Sequence, residues 1–214
     1  MPDPTPLPRY APDIPLPPYA YVPGHGLPHP VNNPRGHLFK SPDPAPLSLD
    51  PLPNDPASRG RALAALLAAD PRWLHAVDLF NEGFYWEAHE AWEQFWHALG
   101  RTTPDARFVQ GLIHLAAAAV KIREGKPAGV TKHTQRAREL LGGSGAASVG
   151  GSGAASVGES GGIQGFDAAA QTLGLDPVSL GAVIAELEAY QQECWHTSRF
   201  PVVKVLTAGL KGWG

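Results

Sequence analysis

Between Glu87 and Lys121 the chain carries seven side chains whose types could do chemistry: Glu87, His89, Glu90, Glu93, Gln110, His114 and Lys121. A carboxylate can act as a general base or a metal ligand, an imidazole as acid or ligand, and an ammonium can stabilise a developing anion. Glu87 and Glu90 lie roughly 60° apart around a helix, and Gln110, His114 and Lys121 fall within roughly 40° of one another. One contact between two neighbouring helices could therefore bring both sets together. Two purposes fit such a network. In the leading one, Gln110, His114 and Lys121 donate to the glutamates, with His89 and Glu93 at the edge, and the pairing fixes helix register in a structural or protein-interaction domain. In the alternative the domain is an acid–base or metal-dependent enzyme: a glutamate is the base, His114 the conjugate acid or a ligand, and Lys121 steadies an anionic transition state. A divalent ion on Glu87, Glu90 and His114 is a variant, since these donors suit zinc, manganese or iron. No cofactor beyond such an ion is called for, and the residues define neither a substrate class nor a small-molecule ligand.

Two helical patterns must position these groups. In the first, Phe84, Ala88, Ala91, Trp92, Phe95 and Leu99 share one apolar arc, opposite Trp86, Glu87, Glu90, Glu93, Gln94 and His97. The second, from Pro104 to Glu124, is apolar almost all round apart from the stripe of Gln110, His114 and Lys121. A helix so apolar belongs at the centre of a bundle, where its stripe meets another helix.

The spacing predicts main helices over 71–82, 84–99, 104–124, 127–141 and 177–193, preceded by a short one from Ser58 to Ala69. Asp70-Pro71, Thr103-Pro104 and Asp176-Pro177 are start signals, a capping side chain followed by a residue suited to the first helical position. Short connections imply antiparallel neighbours. The expected architecture is an all-α, compact antiparallel helical bundle over residues 58–193. A proline-rich extended arm (1–57) precedes it and a tail (194–214) follows. The arm holds 18 of the 23 prolines, which remove amide donors and favour extended backbone. It is either a free tail or an ordered strap that lays Tyr10, Tyr19, Tyr21, Leu27 and Phe39 over the bundle. Its His25, His29 and His37 lack the cysteine or carboxylate spacing of a metal site. Residues 143–158 repeat GSGAASVG twice, so 142–165 is read as a flexible Gly/Ser insertion within the helical domain.

A net charge of −3 and a pI near 6.3 give no electrostatic reason for phosphate affinity, and nucleic acid is not expected as a partner. Six tryptophans and an apolar C-terminal segment favour a homodimer instead. The apolar stretch from Phe108 to Ile122 is too short and too polar to span a bilayer. One cysteine, Cys194, excludes an internal disulfide framework, and the proline-rich start does not read as a secretory signal; the expected location is cytoplasmic. Cys194 and His196 cannot face each other on a helix, so they form no local catalytic pair. No HExxH, CxxC, EF-hand, nucleophile-elbow or phosphate-loop motif occurs, and the Glu-x-x-His repeats of di-iron bundles are missing.

The motif around Trp86-Glu87-Ala88-His89-Glu90, with Phe80, Asn81, Gly83, Glu93 and Trp96, is followed by Gln110-Gly111-Leu112-Ile113, Ala117, Ala118, Lys121 and Gly125. Together they resemble the helical domain-of-unknown-function family numbered 309. The resemblance covers about residues 70–141 and 166–190, more weakly at Gly129, Ala137, Leu141 and Gly174-Leu175-Asp176. It implies a compact antiparallel helical domain and brings no biochemical activity with it. The Gly/Ser repeat and the long terminal segments depart from the family pattern.

Overall fold

Four of the six helices start where an aspartate or threonine meets a proline. The computed structural model describes residues 8–42, 46, 52–141, 175–190, 204 and 206–211, and of Pro56 and Ala57 the backbone alone. Helices α1 (Pro56–Ala69), α2 (Pro71–Asn81), α4 (Pro104–Arg123) and α6 (Pro177–Ala189) follow Asp55, Asp70, Thr103 and Asp176. Each of these caps accepts a hydrogen bond from an amide of the first turn. Helix α3 (Tyr85–Ala98) follows Phe84 without a side-chain cap, and α5 (Pro127–Leu141) opens on its proline. These six helices, with no strand among the described residues, make an all-α domain. The expected bounds hold to about one residue for α2 to α5. The last helix stops at Ala189 rather than 193, and residues 191–193, the Gly/Ser insertion and Cys194 lie outside the described residues.

Helix α4 packs against α3, α5 and α6, while α2 joins α1 to α3. Its near-continuous apolar surface is buried accordingly: Val109, Leu112, Leu115, Ala116, Ala119 and Ile122 are all fully covered. The apolar arc of α3 meets it with Ala88, Trp92, Phe95 and Leu99 buried. Trp92 lies 5.6 Å from the Phe80 ring and Phe95 5.1 Å from Trp73; each large buried side chain contributes about 1.5–3 kcal/mol. Close approach of α4 and α5 depends on two glycines. A Cβ at Gly111 would fall 2.5 Å from Leu141 Cγ, and one at Gly129 2.8 Å from Lys121 Cγ.

The corner between α2 and α3 holds two extended segments by their main chains. Asp78, fully buried, accepts the amides of Tyr10 at 2.8 Å and Ala11 at 2.9 Å, one on each oxygen, with Arg9 Nε 3.5 Å away. Glu87 accepts the Tyr21 amide at 3.0 Å. On the C-terminal side, Asn81 exchanges two 2.7 Å bonds with the backbone of Leu210, and the Leu206 amide donates to Tyr85 Oη at 3.1 Å. Glu186 of α6 accepts the amides of Thr207 and Ala208, both at 2.7 Å. Gly83 turns this corner at φ +90°, where a Cβ would fall 3.1 Å from Lys204 Cα. Residues 8–42 are non-helical, as the prolines require, and lie on the bundle. The side chains they bury are the small Ala11, Ala20, Val22 and Pro30, while Tyr10, Tyr19 and Tyr21 are half-buried at the rim.

Candidate functional site

The polar groups expected in one network between α3 and α4 are taken by different neighbours. Glu87 points under the arm: only 3% of its side chain is exposed, Oε1 lies 3.4 Å from His37 Nε2, and Oε2 takes no hydrogen bond. Burial pushes the Glu87 carboxyl up to about 7, against the Tyr21 hydrogen bond, with the charge of Glu90 raising it further and Arg123 opposing. Burial also lowers His37. Both shifts favour the uncharged forms: the imidazole is neutral near pH 7 while the carboxyl is half protonated there, so the 3.4 Å approach is not a standing ion pair. Tyr19 stacks edge-on to His37 at 4.6 Å, and Tyr21 to Trp86 at 5.2 Å, closing the arm over this carboxyl.

The stripe of α4 turns toward α5 instead of α3, because the glycine contact carries Lys121 across that way. Its Nζ reaches Glu124 at 2.8 Å, and Lys126 binds the same carboxylate at 2.6 Å. Burial works against the Glu124 charge, but the hydrogen bonds from the two lysines hold its carboxyl below the usual range. His114 Nδ1 stands 2.9 Å from Nδ1 of His133 on α5, with ring centroids 5.2 Å apart. That distance requires one tautomer to donate and the other to accept. Burial, then electrostatic coupling to His133, Arg136, His89 and Lys132, lowers His114 to about 4. His133 is lowered by burial, Lys121, Lys132 and His89. Both imidazoles are neutral at pH 7. Gln110 is half-buried on the same helix.

The expected ion-binding trio of Glu87, Glu90 and His114 is thus divided, with Glu87 under the arm and His114 on His133. A different trio converges. Among the described residues, His89, Glu90 and Glu93 each bring one ligand atom within 4.8 Å of the other two. Helix α3 explains why: residues three and four apart share a face, so Glu93 stands beside both His89 and Glu90. His89 Nδ1 is shielded from solvent and takes no hydrogen bond, at 3.5 Å from Glu90 Oε1. The side chains of His89 and Glu90 keep 27% and 37% exposure, so the set is open to solvent. Donors held at about 2.0–2.2 Å from one ion stand at most roughly 4.4 Å apart, close to the present 4.8 Å limit.

His89 and Glu93 belong to the polar residues singled out from the sequence, though at the edge of the network. The i, i+4 spacing of His89 and Glu93, with Glu90 between them, was the available signal for their grouping. His133 was not singled out, and His37 only as one of three arm histidines set aside as a metal cluster; nothing in their spacing marks their roles, because their partners lie on other elements.

No curated protein and no solved structure matches the chain. Residues 73–133 match the family model described as a domain of unknown function (DUF309). This span runs from α2 into α5 and includes His89, Glu90, Glu93, His114 and His133, whereas the resemblance over 166–190 lies beyond it. With its helical fold and the match over these residues, the segment from Trp73 to His133 is similar to the DUF309 family of domains of unknown function.

Proposed function

We propose that this helical domain holds a divalent cation on the solvent side of α3, with His89, Glu90 and Glu93 as its protein ligands. The observation that carries the reading is the convergence of their three donor atoms within 4.8 Å, including a shielded imidazole nitrogen with no hydrogen bond. An imidazole and two carboxylates suit zinc, manganese or iron better than calcium, which prefers oxygen throughout. Three protein ligands leave coordination positions for water or a ligand, the pattern of sites where a metal does chemistry rather than staples a fold. A bound cation would act there as a Lewis acid.

Titration calorimetry of the full chain with zinc and with manganese is expected to show one site, weakened about 10- to 100-fold by His89→Ala or Glu93→Gln. A flat isotherm, or variants that bind like the parent, would dispose of the site. The half-exposed position of these residues makes the substitutions compatible with folding, which circular dichroism checks.

The domain also serves interaction in this reading, with a second copy as partner rather than nucleic acid, in a cytoplasmic setting. Support comes from the net charge of −3 and the single cysteine. No described helix is long and apolar enough to cross a membrane. Light scattering over a range of concentrations is expected to give twice the chain mass; a constant monomer mass would remove the dimer.

A further inference from the structure

Helices α4 and α5 leave an open groove of about 370 Å³, lined by His114, Lys132, Gln135, Arg136 and Glu139. Such a volume lies at the small end of ordinary ligand sites, about 300–1,000 Å³. Its charges are unbalanced. Lys132 has no carboxylate partner among the described residues. Arg136 gives Nη1 to Glu139 at 2.9 Å, which leaves most of its guanidinium donors unused. His114 is held through Nδ1 by His133, so its Nε2 remains without a partner among the described residues. Gln135 adds an amide that can donate, its one described contact being a 3.4 Å bond to Glu139. One carboxylate therefore faces two cations, a neutral imidazole and an amide. His89 acts electrostatically on both His114 and His133, and its helix α3 packs on α4, which carries His114.

We propose that this groove binds a small oxyanion, a carboxylate or a phosphate monoester, through Lys132 and Arg136, and that the same anion offers an oxygen to the cation on His89, Glu90 and Glu93. The second half rests on the cation reading above; the first does not. Arg136 supplies the planar fork that matches two oxygens, and Lys132 a point charge beside it. One lysine without a carboxylate partner and one arginine with donors to spare, in a groove this short, fit one anionic group and not the run of phosphates along a nucleic acid.

Acetate and methyl phosphate are the probes, each titrated into the full chain after removal of metal and again after loading with zinc. One anion should bind in both states, about ten-fold more tightly with zinc, and the Lys132→Ala/Arg136→Ala double variant should lose about ten-fold in each. The two probes decide between carboxylate and phosphate. With manganese in place of zinc, the phosphorus signal of methyl phosphate should relax faster in the parent and not in the double variant. All replaced side chains are exposed, so the fold is retained. No binding in either state, or binding that the double variant leaves unchanged, overturns the groove. Groove binding without any zinc uptake removes the cation reading and the shared oxygen but not the anion site. Zinc uptake with unaltered anion affinity removes the shared oxygen alone.

Discussion

Glu87→Gln is expected to make the protein more stable above neutral pH and to flatten its stability between about pH 5 and 8. The folded carboxyl titrates at about 7, against 4.5 when free, so the folded state holds a proton that the unfolded state has already lost. Stability from this source is complete below the free value and is lost as pH rises through 7. The loss from about pH 5 to 8.5 amounts to about 2–3 kcal/mol. Glutamine carries no charge at any of these values, and its oxygen can still accept the Tyr21 amide. Its NH2 then takes the place of Oε2, which has no hydrogen bond in the parent. Urea unfolding of both proteins at several pH values gives the comparison. His37, His75, His114 and His133 have lowered values and act the other way, losing stability as pH falls below 6.5. They occur in both proteins, so the difference between the two curves isolates Glu87. Parallel curves would mean that the carboxyl is not buried beneath the arm.

Helix starts were legible because they are local: Asp70-Pro71, Thr103-Pro104 and Asp176-Pro177 each need only the next turn to act. Asp55-Pro56 is the same signal and begins α1 two residues before the Ser58 start that the apolar pattern predicts. The burial of α3 and α4 was legible for a related reason, since a helical period places Trp92, Phe95, Leu112 and Leu115 on inward faces whatever the neighbours are. What a polar side chain meets is a different kind of fact. The stripe of Gln110, His114 and Lys121 was visible, but its neighbour was not, because the choice of α5 over α3 rests on the side of α4 that Gly111 and Gly129 allow to approach. Glu87 gave no sign of its partner either. Its contacts, Tyr21 and His37, lie in a segment whose prolines announce extended backbone and say nothing about where that backbone rests.

Asp78→Ala is expected to detach the beginning of the arm. The buried carboxylate is the acceptor for two consecutive amides, Tyr10 at 2.8 Å and Ala11 at 2.9 Å. Without it both would be left unpaired at about 1–3 kcal/mol each. The small apolar surface of Ala11 cannot offset that, since full burial of a much larger side chain is worth only about 1.5–3 kcal/mol. Lifting away so that water satisfies the amides is then the lower-energy course. Proline limits the conformations available to the free arm, so docking costs little entropy and the detached state gains little by release. The clasp should therefore respond to the loss of acceptors alone. Asp78→Asn tests this: it keeps one oxygen acceptor, and of the two amides one should stay protected. Hydrogen exchange should show Tyr10 and Ala11 exposed in Asp78→Ala and partly protected in Asp78→Asn, with the amides of α3 and α4 unchanged in both. Proteases should cut residues 8–22 of the alanine variant first. Equal exchange at Tyr10 and Ala11 in the parent and the alanine variant would show that the arm is held by its side chains and not by the carboxylate.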